Sequence, residues 1–514
     1  MILIYLIGIL IGGGILSFLL GLWNKHFPRW IALCTVTGCF ITLVSFWVHH
    51  YTEINVSASS DWLVDYQRDW IPAFGISFHL AIDGLSLLLL VLTLFIGILA
   101  VLCSWNEVKE RVSFYYFNLL WILAGISGVF LAVDLFLFYF FWELMLIPMY
   151  FLIGIWGSEK REYAAYKFFI FTQASGLLML LAILGLYFIH GRNTGIYTFN
   201  YFQLLGTSIP PNTGFWLMLG FMIAFVVKLP IVPFHSWLPD AHSEAPTAGS
   251  LILAALLLKT GAYGMLRFVL PLFPEAAREL APWAMLLGVI GIIYGAILSY
   301  AQTDLKRLVA YTSISHMGFV MLGIFAFNEL ALQGVVMQLV THAISTGALF
   351  IMAGMLKERL HTRDLNQMGG LWSQMPQMGA VSILLAMASL GLPGLGNFVA
   401  EFLILLGAFK ANLLLTIIAT IGLIFSAIYA LRIVQKIFFG PAKTTDPIHD
   451  FSWRETLIMA SLAFSLIWLG LYPQPIINTA KPIVNKLEKL FPAPPITSTT
   501  YRSVIIKKEE HNVK

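Results

Sequence analysis

The chain has 514 residues, of which 59% are hydrophobic and 11% charged, with a formal net charge of +4. An ordinary soluble domain carries about 25% charged residues, so this composition excludes a soluble globular enzyme and equally excludes a disordered chain. The mean hydropathy of +0.84 makes lipid the main solvent. The charge surplus is too small to indicate nucleic acid as a partner. Strand-like alternation is absent, which argues against an outer-membrane barrel and for an all-α polytopic membrane protein.

A crossing takes about 20 mainly apolar residues. In chain order the sequence predicts fourteen spans, at 2–23, 30–48, 77–103, 114–133, 135–156, 168–189, 215–238, 247–269, 282–300, 307–327, 330–356, 378–409, 414–439 and 456–473. The first lacks a basic leader and a small-residue cleavage site, so it reads as a retained span. The longest connections, near 49–76, 190–214, 357–377 and 440–455, are too short for a soluble domain. A polar tail, Phe491–Lys514, follows. Cys34, Cys39 and Cys103 sit in apolar runs with neither metal-ligand nor disulfide spacing. There is no iron–sulfur motif, dinucleotide fingerprint or Walker loop, and the adjacent His49 and His50 make a poor haem site.

Basic residues orient the spans. With the connections taken alternately, sixteen fall on one side, among them Lys25, Arg29, Lys160, Arg161, Lys306, Arg307 and Arg363. Five fall on the other: Arg68, Arg192, Arg267, Arg278 and Lys410. The first side is expected to face the cytoplasm, with both termini outside, although the tail (Lys481, Lys486, Lys489, Arg502, Lys507, Lys508 and Lys514) opposes the rule.

Two basic residues remain, and both lie inside spans: Lys228 in FMIAFVVKLP and Lys259 in LILAALLLKTGAYG. Glu143, Glu401, His316 and His342 are also intramembrane. A charge at mid-bilayer costs about 2.5–3.5 kcal/mol on insertion scales, so such residues mark an ion or proton path by default. The bland alternative is a structural ion pair, or a satisfied core histidine. A lysine taken out of water loses some of its hold on its proton, and a nearby carboxylate restores it, so a moving carboxylate can switch it. Asp83, Asp134, Asp240 and Asp304, near span ends, read as interfacial.

Two spans carry interruptions. Lys228 is followed by Pro230, Pro233, Pro239 and Pro246, and the Gly391–Gly396 stretch GLPGLG comes just before Glu401. Broken helices persist in membranes only where protein or a cavity surrounds them, and paired breaks suggest inverted repeats. Glu143 to His316 and Lys228 to Glu401 are both 173 residues, and the same offset carries Lys259 to Arg432. The corresponding division is 1–113, a first repeat at 114–269, a second at 282–439, and a last helix with its tail at 440–514.

The runs FFWELMLIPMYFLIGIWG, KLPIVPFHSWLPDAHSEAPTAGS, LLLKTGAYGMLRF, KRLVAYTSISHMGFV and GLPGLGNFVAEF closely resemble the antiporter-like membrane subunits of bacterial respiratory complex I, the proton-translocating NADH:quinone oxidoreductase, and among them chain M. The resemblance implies two inverted five-helix repeats with discontinuous seventh and twelfth helices. It gives Glu143 the role of partner to the pump lysine, Lys228 that of central proton carrier, and Lys259 that of link between half-channels. His316 and His342 match the central polar axis and Glu401 the terminal site. A glutamate at 401, and the absence of a long lateral helix, favour chain M over chains L and N. The resemblance also implies that this chain holds no cofactor. FMN, iron–sulfur clusters, NADH and quinone would belong to other subunits, with chains L and N and lipid as neighbours. A cation/proton antiporter, a membrane subunit of a related hydrogenase complex and a scaffold without transport are the competing expectations.

Overall fold

Long Leu-, Ile- and Phe-rich runs have one stable backbone form in lipid, because a helix satisfies every N–H and C=O within itself. The computed structural model describes residues 1–56, 62–443 and 447–492. Among them, twelve helices are long and apolar enough to cross a membrane: Ile2–Gly21, Phe27–Thr52, Gly84–Glu107, Val112–Leu131, Leu135–Trp156, Arg161–Thr194, Pro211–Lys228, Thr247–Leu272, Pro274–Ala301, Glu329–Leu360, Leu413–Phe438 and Trp453–Leu471. Three more apolar helices are Leu305–Ile324, Pro376–Ser389 and Gly396–Ala411. The first is diluted by its own Lys306, Arg307, Thr312, Ser313, Ser315 and His316.

Thr247–Leu272 and Glu329–Leu360 form the centre, where their apolar stretches are completely buried. Ile2–Gly21, Arg161–Thr194, Leu413–Phe438 and Trp453–Leu471 lie outside and expose most of theirs, including Leu181, Ile424 and Phe464. An apolar surface of that extent suits lipid or partner helices.

The connections depart from expectation in two places. Part of the stretch read as a loop at 49–76 is a strand, Val64–Ile71, which pairs antiparallel with Ile76–Ile82. The second strand occupies the predicted start of the third span. Its alternation of Phe78, Leu80 and Ile82 was masked by the apolar run that follows. Gln474–Leu490, left unassigned by the sequence reading, is an amphipathic helix. It buries Ile476, Thr479, Ala480, Ile483, Val484 and Leu487 at helical spacing. Trp47 Nε1 donates to Thr479 Oγ1 at 3.0 Å and ties this helix to the first spans. The tail residues Arg502, Lys507, Lys508 and Lys514 lie outside the described residues.

Four acidic residues near span ends turn out to be built into the fold. Asp83, Asp134 and Asp304 cap the helices that follow them. Asp134 also accepts from Ser77 N and Oγ at 3.0 Å, clamping the hairpin. Asp240 bridges Lys167 at 2.7 Å and Arg307 at 2.9 Å. Two basic residues read as loop charges are buried instead. Lys306 is 2% exposed. Arg267 is equally buried, pairs with Asp83 and stacks 4.6 Å from the Trp62 ring. Both sit in the terminal turns of helices, where packing of neighbours decides burial.

Removing one partner of such a pair leaves the other charge buried alone, which costs about 3–5 kcal/mol. Asp83→Asn is therefore expected to lower the midpoint of heat-induced disassembly of the complex. Asp83→Asn combined with Arg267→Met is expected to restore most of it. A double variant no better than the single would contradict this role.

Candidate functional site

Four of the six residues singled out from the sequence form one buried row. Lys259 Nζ lies 2.7 Å from His342 Nδ1. The His342 and His316 rings meet edge to face, with centroids 5.5 Å apart. His316 Nδ1 lies 2.9 Å from Glu401 Oε1. All four residues are at most 3% exposed. They come from Thr247–Leu272, Leu305–Ile324, Glu329–Leu360 and Gly396–Ala411, four helices that meet nowhere in the sequence.

Local backbone explains the placement. Helix Thr247–Leu272 contains two π turns, Leu253–Leu257 and Met265–Val269, which flank Lys259. A π turn widens the helix and takes carbonyls out of the usual ladder. The carbonyl of Ala254 accepts from Lys259 Nζ at 2.5 Å and holds the ammonium towards His342. At the other end of the row the helix stops after Ser389 and restarts at Gly396. Gly391, at φ +79°, faces Glu401: an added Cβ there would stand 2.9 Å from Glu401 Oε2. Glycine alone suits both the backbone angle and the space. Around His316, Tyr429 Oη lies 3.3 Å from Nε2, and Gln338 Nε2 lies 3.5 Å from Nδ1. Tyr429 and Gln338 were missed by sequence reasoning, since neither residue type stands out in an apolar run.

Glu143 and Lys228 form a separate station. Lys228 is the last residue of Pro211–Lys228, and the chain re-enters a helix only at Trp237. Its Nζ is fully buried, 5.4 Å from the rings of Trp142 and Phe168. Among the described residues neither Lys228 Nζ nor Glu143 Oε1 has a hydrogen-bond partner. The direct pair expected from sequence is thus not closed in this state. Aromatic faces give the ammonium a weaker partner. Glu143 turns against Gly176, where a Cβ would lie 2.7 Å from its Oε1. The helix of Lys228 packs on that of Lys259 through Gly261, whose Cβ would stand 3.2 Å from Lys228 Cβ.

The 173-residue offset does not map onto equivalent positions. Lys228 ends the helix before its interruption, whereas Glu401 lies in the helix after its own. Arg432 is off the row, half-buried with its guanidinium 4.4 Å from the Tyr300 ring. Sequence reasoning also passed over His242. It is fully buried, stacks at 4.3 Å on Phe350, and has no partner for either ring nitrogen among the described residues. Its signal was its place in LPDAHSEAP, directly after the proline-broken helix. Among the described residues no group of three or more His, Cys, Asp or Glu could hold a metal ion.

The family described as NADH:quinone oxidoreductase/Mrp antiporter, TM, matches residues 132–426, which contain the whole row and the Glu143–Lys228 station. NADH-quinone oxidoreductase subunit M of Pseudomonas aeruginosa is 54% identical over 488 residues, covering 93% of this chain and 96% of that protein. The chain belongs to the M-subunit family of NADH-quinone oxidoreductase, the antiporter-like membrane subunits of proton-translocating complex I. Family membership and the apolar helices make it a multi-pass membrane protein. A chain of the respiratory complex I structure from Thermus thermophilus with bound NADH superposes with a TM-score of 0.85 at 30% identity, covering 96% of this chain and all of that one. A chain of the Mrp complex from a Dietzia species shares the fold, with a TM-score of 0.83 at 19% identity over 95% of this chain and 97% of that one.

Proposed function

We propose that this subunit carries protons across the membrane along Lys259, His342, His316 and Glu401, with Glu143 and Lys228 as the switch that drives the row. The observation that carries this reading is the buried continuity from Lys259 Nζ through His342 and His316 to Glu401 Oε1. Lysine, histidine and glutamate each exchange protons, and no arginine, which holds its proton permanently, lies in the row. Lys228 has no fixed hydrogen-bond partner among the described residues. Closing the Glu143–Lys228 gap stabilises the ammonium, and opening it releases a proton towards Lys259.

In this reading Leu305–Ile324, together with Pro376–Ser389 and Gly396–Ala411 taken as one interrupted crossing, joins the other twelve helices to give fourteen spans. The seventh and twelfth are discontinuous, and the spans fall into inverted repeats at 114–269 and 282–439. The basic-loop end faces the cytoplasm, both termini face the periplasm, and protons leave past Glu401. The chain packs between chains L and N. FMN and iron–sulfur clusters work in other subunits, whose redox chemistry moves the switch.

His316→Asn tests the row. Asparagine keeps a polar group in the Nδ1 position facing Glu401 but cannot relay a proton. In native membrane vesicles, NADH-driven acidification per assembled complex is expected to fall about tenfold or more, while Tyr429→Phe retains most of it. Unchanged acidification with His316→Asn would overturn the reading.

A further inference from the structure

A cavity of about 290 Å³ lies between the helices Phe27–Thr52, Gly84–Glu107, Glu329–Leu360 and Trp453–Leu471, and Ile476 of the amphipathic helix Gln474–Leu490 lines it as well. Trp47 and Leu88 mark the end nearest that amphipathic helix. Trp47 donates to its Thr479, and Gly84, one turn before Leu88, backs onto the Thr479 carbonyl. Phe40 and Phe95 lie two helical turns further along, with ring centroids 6.2 Å apart. Two turns span about 10 Å, so the cavity is a slot about 6 Å across.

The polar side-chain atoms on its wall belong to Ser465, Trp47 and Trp468. Ser465 Oγ donates to the Ser461 carbonyl at 2.8 Å, and the Trp47 indole is engaged by Thr479. Trp468 stands at the open side beside Phe464, which is 69% exposed. Ile41 and Val48 extend the exposed apolar surface along the neighbouring helix. An apolar cavity without free hydrogen-bonding groups in its depth stays dry and takes apolar guests, and an engineered one of about 150 Å³ already binds benzene.

Two apolar occupants can meet such a surface, a partner helix and an acyl chain. A helix with its side chains is about 10–12 Å wide and does not enter a slot of this width. An extended hydrocarbon chain does. The slot also runs along the spans, which stand about 20° from the bilayer normal on average, as acyl chains do.

We infer that the slot is a binding site for one acyl chain of a membrane phospholipid, which packs there as part of the bundle. Val340 and Ile344 line it and belong to Glu329–Leu360. They stand two residues before and two after His342, so they point about 160° away from it around the helix. The acyl chain therefore lies against the back of the helix that carries His342.

The test uses the whole complex in liposomes of phosphatidylethanolamine and phosphatidylglycerol. A small fraction of the phosphatidylethanolamine carries a diazirine midway along one acyl chain. After illumination, labelled positions are mapped by peptide mass spectrometry. Ile41 and Val48 are exposed and report ordinary contact with lipid. Leu92 and Val340 are 5% and 6% exposed and are reached from inside the slot. Label on Leu92 and Val340 is expected alongside that on Ile41 and Val48. Val91→Trp places an indole in the slot. It is expected to remove most of the label from Leu92 and Val340 while Ile41 keeps its own. Absence of label from Leu92 and Val340 would overturn the inference, and so would label there that persists in an assembled Val91→Trp complex. A trace of isoprenoid quinone that clears Leu92 without affecting Ile41 would assign the slot to a quinone tail and equally overturn it. Should Val91→Trp fail to assemble, the labelling of the unsubstituted complex decides.

Discussion

Lys259→Met is expected to stop NADH-driven acidification almost completely while leaving the complex assembled. Methionine has nearly the length of lysine and fills the same space, so little cavity forms. The loss is chemical. Lys259 is the donor that joins the Ala254 carbonyl to His342 Nδ1, and it is the first member of the row. Removing it leaves two buried acceptors without their donor, at about 1–3 kcal/mol each. A body this large, with two central helices completely buried, tolerates that. A positioned proton carrier is worth about 10²–10⁴ in rate, so the fall in acidification should far exceed any fall in assembled complex on a native gel. Parallel losses of both would mean that Lys259 only holds the helix.

Glu143→Gln is expected to have the second-largest effect, for a different reason. Glu143 is outside the row and does not touch Lys228 in this structure. In the proposed mechanism its part is electrostatic: the charge sets how firmly Lys228 holds a proton when the gap closes. Two unit charges 4 Å apart interact by about 4 kcal/mol at an effective dielectric of 20, enough to move a proton equilibrium by about three orders of magnitude. The amide keeps the shape against Gly176 and deletes the charge. Quinone reduction and acidification should collapse together in an assembled complex, while Glu143→Asp, which keeps the charge on a shorter arm, recovers part of both. If both persist with Glu143→Gln, the Lys228 station is structural.

The spans and the ionisable residues within them were legible because both signals are local. A run of twenty apolar residues is a helix in lipid whatever surrounds it, and a lysine inside such a run stands out. Lys259, His342, His316 and Glu401 could be named from sequence, but their order in space could not, since four separate helices supply them. Burial at helix ends was hidden for the same reason. Lys306 and Arg267 sit at span boundaries, where neighbouring helices decide whether a base meets water or a carbonyl. The strand Ile76–Ile82 was absorbed into the apolar run after it. The helix Gln474–Leu490 was passed over because an apolar stripe among lysines does not satisfy a search for spans. The gap between Glu143 and Lys228 is a state of the assembled side chains, which residue spacing does not encode.

The row itself is tested most directly at its far end. Glu401→Gln keeps Lys228, Lys259 and both histidines in the chain and removes only the last member of the proposed row. The measurement is NADH-driven acidification per assembled complex, with purified complex in sealed liposomes. The account requires a loss of about tenfold or more, with Glu401→Asp partly active. An assembled Glu401→Gln complex that acidifies at the unsubstituted rate would show that protons do not leave by this row.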